Sequence, residues 1–90
     1  MNEIIVAKFG GSSLADSKQF KKVKEIIVSD NRRRYIIPSA PGKRDSNDHK
    51  VTDLLYMCYQ LASHKLNFDE VYGIIEKRIY DIYNDLELQI

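Results

Sequence analysis

Lys8-Phe9-Gly10-Gly11-Ser12-Ser13 gathers the residue types that hold a phosphate group. Glycines let the backbone approach an anion closely, and successive N–H groups there form a concave nest. Lys8 adds a mobile full charge able to follow a phosphoryl group as it transfers. The loop is not a Walker A sequence, because its lysine precedes the glycines and no Gly-Lys-Ser/Thr follows. Its plainer reading is a tight strand-to-helix turn. A second polar block, Ser39-Ala40-Pro41-Gly42-Lys43, offers a hydroxyl and backbone groups to a further ligand; its plainer reading is again a turn. Thr52, at the start of an expected helix, offers a hydroxyl and an N–H to a carboxylate, or serves as a simple N-cap.

The elements that must position these residues follow from periodicity. Ile4-Ile5-Val6-Ala7 is apolar without alternation, which predicts a short strand buried on both faces. Asp16, three residues before Gln19, resembles a capping box, and Phe20, Val23, Ile26 and Ile27 repeat at helical spacing. Together they predict a helix from Ser17 to Val28, with Lys18, Lys21, Lys22 and Lys24 toward water. Its N-terminus is expected to add positive potential beside the glycine loop. Ser29-Asp30-Asn31 is a turn, and Tyr35-Ile36-Ile37 a second strand with Pro38 at its end. Strand, helix and strand make a βαβ unit with a right-handed crossover. Both polar blocks then lie at the carboxyl edge of a parallel sheet, where α/β proteins place ligands.

Beyond a polar loop from Ser39 to Lys50, a helix capped by Thr52 is expected to carry Leu54, Leu55, Cys58, Leu61 and Ala62. A last helix begins around Asn67-Phe68-Asp69, with an apolar stripe of Val71, Ile74, Ile75, Ile79, Ile82 and Leu86. The fold class is α/β, with about two strands and three helices. Two strands of buried type ask for further strands and for helices on both faces, so a larger sheet is expected.

Composition narrows the function classes. Fourteen Lys and Arg against 13 Asp and Glu give a formal charge of +1, which argues against an unspecific nucleic-acid binder. Arg32-Arg33-Arg34 has no aromatic interleaved and reads as a solvated turn before a strand. A single cysteine, Cys58, excludes an intrachain disulfide and a Cys-rich zinc site, and fits a reducing cytoplasmic setting. His49 and His64 lie on separate segments without metal-ligand spacing, so no metal site is expected. Nothing is long and apolar enough to span a membrane, and the Met-Asn-Glu start lacks the layout of a signal peptide.

The stretch Val6-Ala7-Lys8-Phe9-Gly10-Gly11-Ser12-Ser13-Leu14 resembles the opening signature of the aspartate kinases. Ser39-Ala40-Pro41-Gly42-Lys43, followed by Lys50-Val51-Thr52-Asp53-Leu54-Leu55, resembles their next signature in the same order and separation. The resemblance implies the amino-acid-kinase (carbamate-kinase-like) fold, an α/β/α sandwich with a mostly parallel sheet. Residues 1–90 would be its N-terminal portion, without the rest of the catalytic domain or the ACT regulatory domains. It implies transfer of the γ-phosphoryl of ATP to the β-carboxylate of L-aspartate, the first step toward lysine, threonine and methionine. Carried over by position, Lys8 is the catalytic cation, and Lys8, Phe9, Gly10, Gly11 and Ser12 hold the ATP phosphates. Ser39 and Thr52 line the aspartate site. Mg²⁺ accompanies ATP, and no tightly bound cofactor is implied.

Pro38 departs from the β-branched or small residue usual before that serine, which predicts a second strand that ends early or bends. The loop from Arg44 to Lys50 is longer than in many members. Alone, the chain is expected to be catalytically silent and to self-associate, or to belong to a homo-oligomer. Two other readings stand beside this one. Another amino-acid kinase would act on a different carboxylate or carbamate, against which Val51-Thr52-Asp53-Leu54-Leu55 argues. A free-standing nucleotide-binding or interaction module would merely retain the loop.

Overall fold

The computed structural model describes residues 3–88. Strand β1 (Ile5–Phe9) and strand β2 (Arg33–Pro38) pair in parallel, Val6 opposite Tyr35 and Phe9 opposite Pro38. Between them run a short 3-10 turn (Gly11–Leu14) and helix α1 (Ser17–Val28), the bounds periodicity predicts for that helix. Asp16 caps α1, its Oδ1 accepting the Gln19 N–H at 3.0 Å and so satisfying one of the helix's unpaired first amides. Phe9, Leu14 and Val23 are buried together, with Ala7, Phe20, Ile27 and Ile36 packed against them. The four lysines of α1 face water.

The strands are not buried on both faces. Successive side chains alternate between the two sides of a sheet, and α1 covers the side bearing Ala7, Phe9 and Ile36. Val6 and Tyr35, paired on the other side, are each 60% exposed, and Ile37 is 52% exposed. Unbroken apolar sequence registers the capacity for two covered faces; among the described residues only one is covered. Pro38 does not end β2 early. It sits at the last ladder position, where its missing N–H is tolerated, and the Ser39 N–H donates to the Phe9 carbonyl at 3.0 Å.

Helices α2 (Val51–Ser63) and α3 (Asp69–Asp85) form the second half. Val51, Leu54 and Ile75 make its core, joined by Ala40, Cys58 and Val71. Thr52 is not the N-cap expected from sequence. Lys50 holds that position in extended backbone with no side-chain cap, because Val51 must already be helical to bury its side chain. The Pro41 carbonyl, accepting the Val51 N–H at 3.0 Å, ties the helix start to the loop instead. α2 ends in a Schellman arrangement: the Leu66 N–H reaches the Leu61 carbonyl and the Lys65 N–H that of Ala62. Lys65 takes the left-handed conformation usually given to glycine, with φ 59°. On α3 the buried stripe also differs from expectation. Ile74 and Ile79 are 44% and 47% exposed, and Arg78 occupies a core-facing seat between Ile75 and Ile82. The molecule is elongated, 57 × 29 × 25 Å.

Candidate functional site

The two polar blocks meet backbone to backbone. The Gly42 N–H donates to the Gly11 carbonyl at 2.8 Å. A Cβ on Gly42 would lie 2.6 Å from the Gly11 carbonyl carbon and 2.9 Å from the Ser12 nitrogen, so a larger residue fits only if the backbone shifts. A Cβ on Gly11 would stand 3.2 Å from both the Ala40 oxygen and the Gly42 Cα. This contact, with the Pro41–Val51 bond, forms the floor of a cavity of about 510 Å³.

Of the candidate residues, Gly11, Ser12, Ser39 and Thr52 line that one cavity. Lys8 stands on the uncovered face of the sheet, opposite Ile37, and is exposed rather than part of the cavity wall. Phe9 buries its ring in the core beneath α1 and offers only its carbonyl, which Ser39 uses. Gly10 is extended and starts the 3-10 turn. No glycine among the described residues has positive φ. Closeness comes from the missing Cβ atoms.

The free amides come from element starts. A 3-10 turn and an α-helix leave their first N–H groups without internal partners. Those of Gly11 and Ser12 open the turn, and Thr52 lies in the first turn of α2. α1 starts only at Ser17, after the 3-10 turn, and its N-terminus is capped by the Asp16 carboxylate. The helix that begins at the cavity is α2.

Sequence reasoning missed several participants. Lys43 and Lys50 also line the cavity, giving it two cations. Arg78, only 3% exposed, reaches across from α3. Its Nη1 donates to the His49 carbonyl, and its Nη2 to those of Ala15 and Gly42, all at 2.8 Å. Burial lowers its pKa, opposed by the Asp48 carboxylate 3.8 Å away. Asp48 in turn is held well below the ordinary carboxylate range, chiefly by the Arg44 guanidinium at 2.7 and 3.0 Å. The available signal for Arg78 was an arginine in register with an apolar stripe, three residues after Ile75 and four before Ile82. Among the described residues no group of three or more His, Cys, Asp or Glu side chains could hold a metal ion. No helix there is long and apolar enough to cross a membrane.

Comparison with known proteins bears on what this cavity belongs to. No family model matches the chain. Aspartokinase 3 of Bacillus subtilis is 42% identical over 83 residues, which cover 92% of this chain and 18% of that protein. The crystal structure of the Clostridium acetobutylicum aspartate kinase matches with a TM-score of 0.94 at 55% identity, covering 98% of this chain. The chain is related to the aspartate kinases. It spans 18% and 20% of the lengths of these two aspartate kinases. Its two parallel strands and three helices correspond to a portion of the aspartate-kinase fold.

Proposed function

We propose that the chain is the N-terminal part of an aspartate-kinase catalytic domain, acting in the cytoplasm. In the full-length enzyme the γ-phosphoryl of ATP passes to the β-carboxylate of L-aspartate, giving 4-phospho-L-aspartate for lysine, threonine and methionine synthesis. One observation carries this reading: Gly11 and Ser12 from the first block and Ser39 and Thr52 from the second, far apart in sequence, line a single cavity. On this reading the first wall receives ATP phosphates through backbone N–H groups, and the second receives aspartate through two hydroxyls. Lys8, at the strand end, answers the charge that develops on the transferring phosphoryl. Mg²⁺ arrives on the ATP phosphates.

Phosphoryl transfer needs two substrates positioned together and charge neutralised from several sides. The remaining four-fifths of such an enzyme would supply the adenine pocket and the acidic partner of the aspartate amino group. It would also cover Val6, Tyr35 and Ile37, which in the isolated chain favour self-association. The test is Lys8→Met in the full-length enzyme. A cation acting on the transition state contributes about 3–4 kcal/mol, so kcat falls several-hundred-fold while the aspartate KM changes little. A near-normal kcat would remove Lys8 from this role, and absence of aspartate-dependent ATP turnover in the wild type would remove the assignment itself.

A further inference from the structure

We propose that Arg78 is a positioning residue for phosphoryl transfer, its guanidinium setting the separation of the two cavity walls. The inference rests on the aspartate-kinase reading only for what the walls hold; the clamp itself rests on geometry. The three carbonyls Arg78 binds belong to three different segments. Ala15 follows the turn that carries Gly11 and Ser12, Gly42 lies in the second block, and His49 leads into α2 just before Thr52. They stand 63, 36 and 29 residues from Arg78 in the chain.

A guanidinium is planar and its donors keep fixed directions, so holding two carbonyls fixes the place of the third. With Arg78 only 3% exposed, water cannot substitute for those acceptors. Its charge is answered by Asp48, which is pinned by Arg44 through both the backbone N–H and the guanidinium. Gly42 is thereby gripped from both sides: its N–H is tied to Gly11, and its carbonyl to Arg78. Arg78 does not line the cavity. It acts through the backbone, on the distance between the wall of Gly11 and Ser12 and the wall of Ser39 and Thr52. If those walls carry the two reactants, that distance decides whether their reacting atoms meet.

The test compares Arg78→Lys and Arg78→Met in the full-length enzyme. A misplacement near 1 Å costs on the order of 10²-fold in rate. Arg78→Met is therefore expected to lose about that factor in kcat, with both KM values little changed and melting still cooperative. Lysine, a point charge without the fork, is expected not to rescue. Amide hydrogen exchange gives a readout independent of turnover. The Gly42 N–H should lose protection in both variants while the Ser39 N–H, in the sheet ladder, keeps it.

An unchanged kcat in a folded variant would overturn the proposal. So would full rescue by lysine, or equal loss of protection at Gly42 and Ser39, which would make Arg78 a general stabiliser. If Arg78→Met does not fold, Arg78→Lys carries the same readouts. If the wild type does not phosphorylate aspartate, the functional reading fails, and the exchange pattern alone still decides whether Arg78 sets the walls.

Discussion

The cavity end and the outer faces of this molecule are finished to different degrees. At the cavity, glycine packs on glycine, an arginine joins three segments, and no described buried side-chain polar atom lacks a hydrogen-bond partner. On the outer faces, Val6 and Tyr35 are 60% exposed and Tyr56 and Tyr59 are 69% and 71% exposed. An apolar groove of about 460 Å³ runs along α2 past Leu55 and Tyr56, reaching Thr52 at the cavity side. Hydrogen bonding is directional and needs only a few well-placed atoms. Apolar burial scales with area and needs whole covering layers. The polar contacts that join loops can thus be completed within a stretch of chain that leaves its hydrophobic layers open.

The sharpest way to break that contrast is Gly42→Ala. The new methyl group would press on backbone atoms that cannot swing aside. A cost of about 1–3 kcal/mol is expected from overpacking, read by denaturant unfolding. Gly11→Ala, with 3.2 Å of room, should cost less. A neutral Gly42→Ala would mean that the two loops are not closed on one another.

Acidification sharpens the same end. Asp48 has a folded pKa held below its ordinary value of 3.8, so its contribution to stability is present above that value and is lost as pH falls below it. Asp30, paired with exposed Arg32, is shifted the same way, so the wild-type acid limb reports both groups. Asp48→Asn should lower stability at neutral pH and flatten the loss below about pH 4. Unfolding midpoints across pH 2–7 for both proteins check this, and parallel curves would deny Asp48 its part.

The smallest effect belongs to the helical half. Lys65→Gly relieves a left-handed backbone at the α2 terminus and should raise stability by roughly 1 kcal/mol, seen as a higher Tm. A lower Tm would show that the lysine side chain matters more there than its backbone conformation.

Much of the first half was legible because its signals are local. The Asp16–Gln19 spacing and the stripe from Phe20 to Ile27 locate α1, and the apolar runs at Ile4 and Tyr35 locate both strands. The two motif blocks also identify Gly11, Ser12, Ser39 and Thr52, which the fold brings to one cavity. What could not be read was set by distant contacts. Thr52 carries a capping side chain, yet the cap position fell to Lys50 because Val51 was needed in the core. Gly42 looks like any turn glycine until Gly11 is laid against it. Arg78 resembles a gap in an apolar stripe, because only the folded chain supplies three carbonyls to its guanidinium.

The span of those three bonds also bears on when the cavity can form. The α1 cap and its helical turns link residues three or four apart and close quickly. The Arg78 bond to Ala15 closes a separation of 63 residues, and such contacts meet their loop entropy before any bond rewards it. During synthesis both glycine blocks leave the ribosome well before Arg78 does. Through that interval the strands and α1 can assemble, but the walls have no clamp. On the role proposed for Arg78, setting the separation of the cavity walls therefore waits for α3, after the strands and α1 are available to assemble.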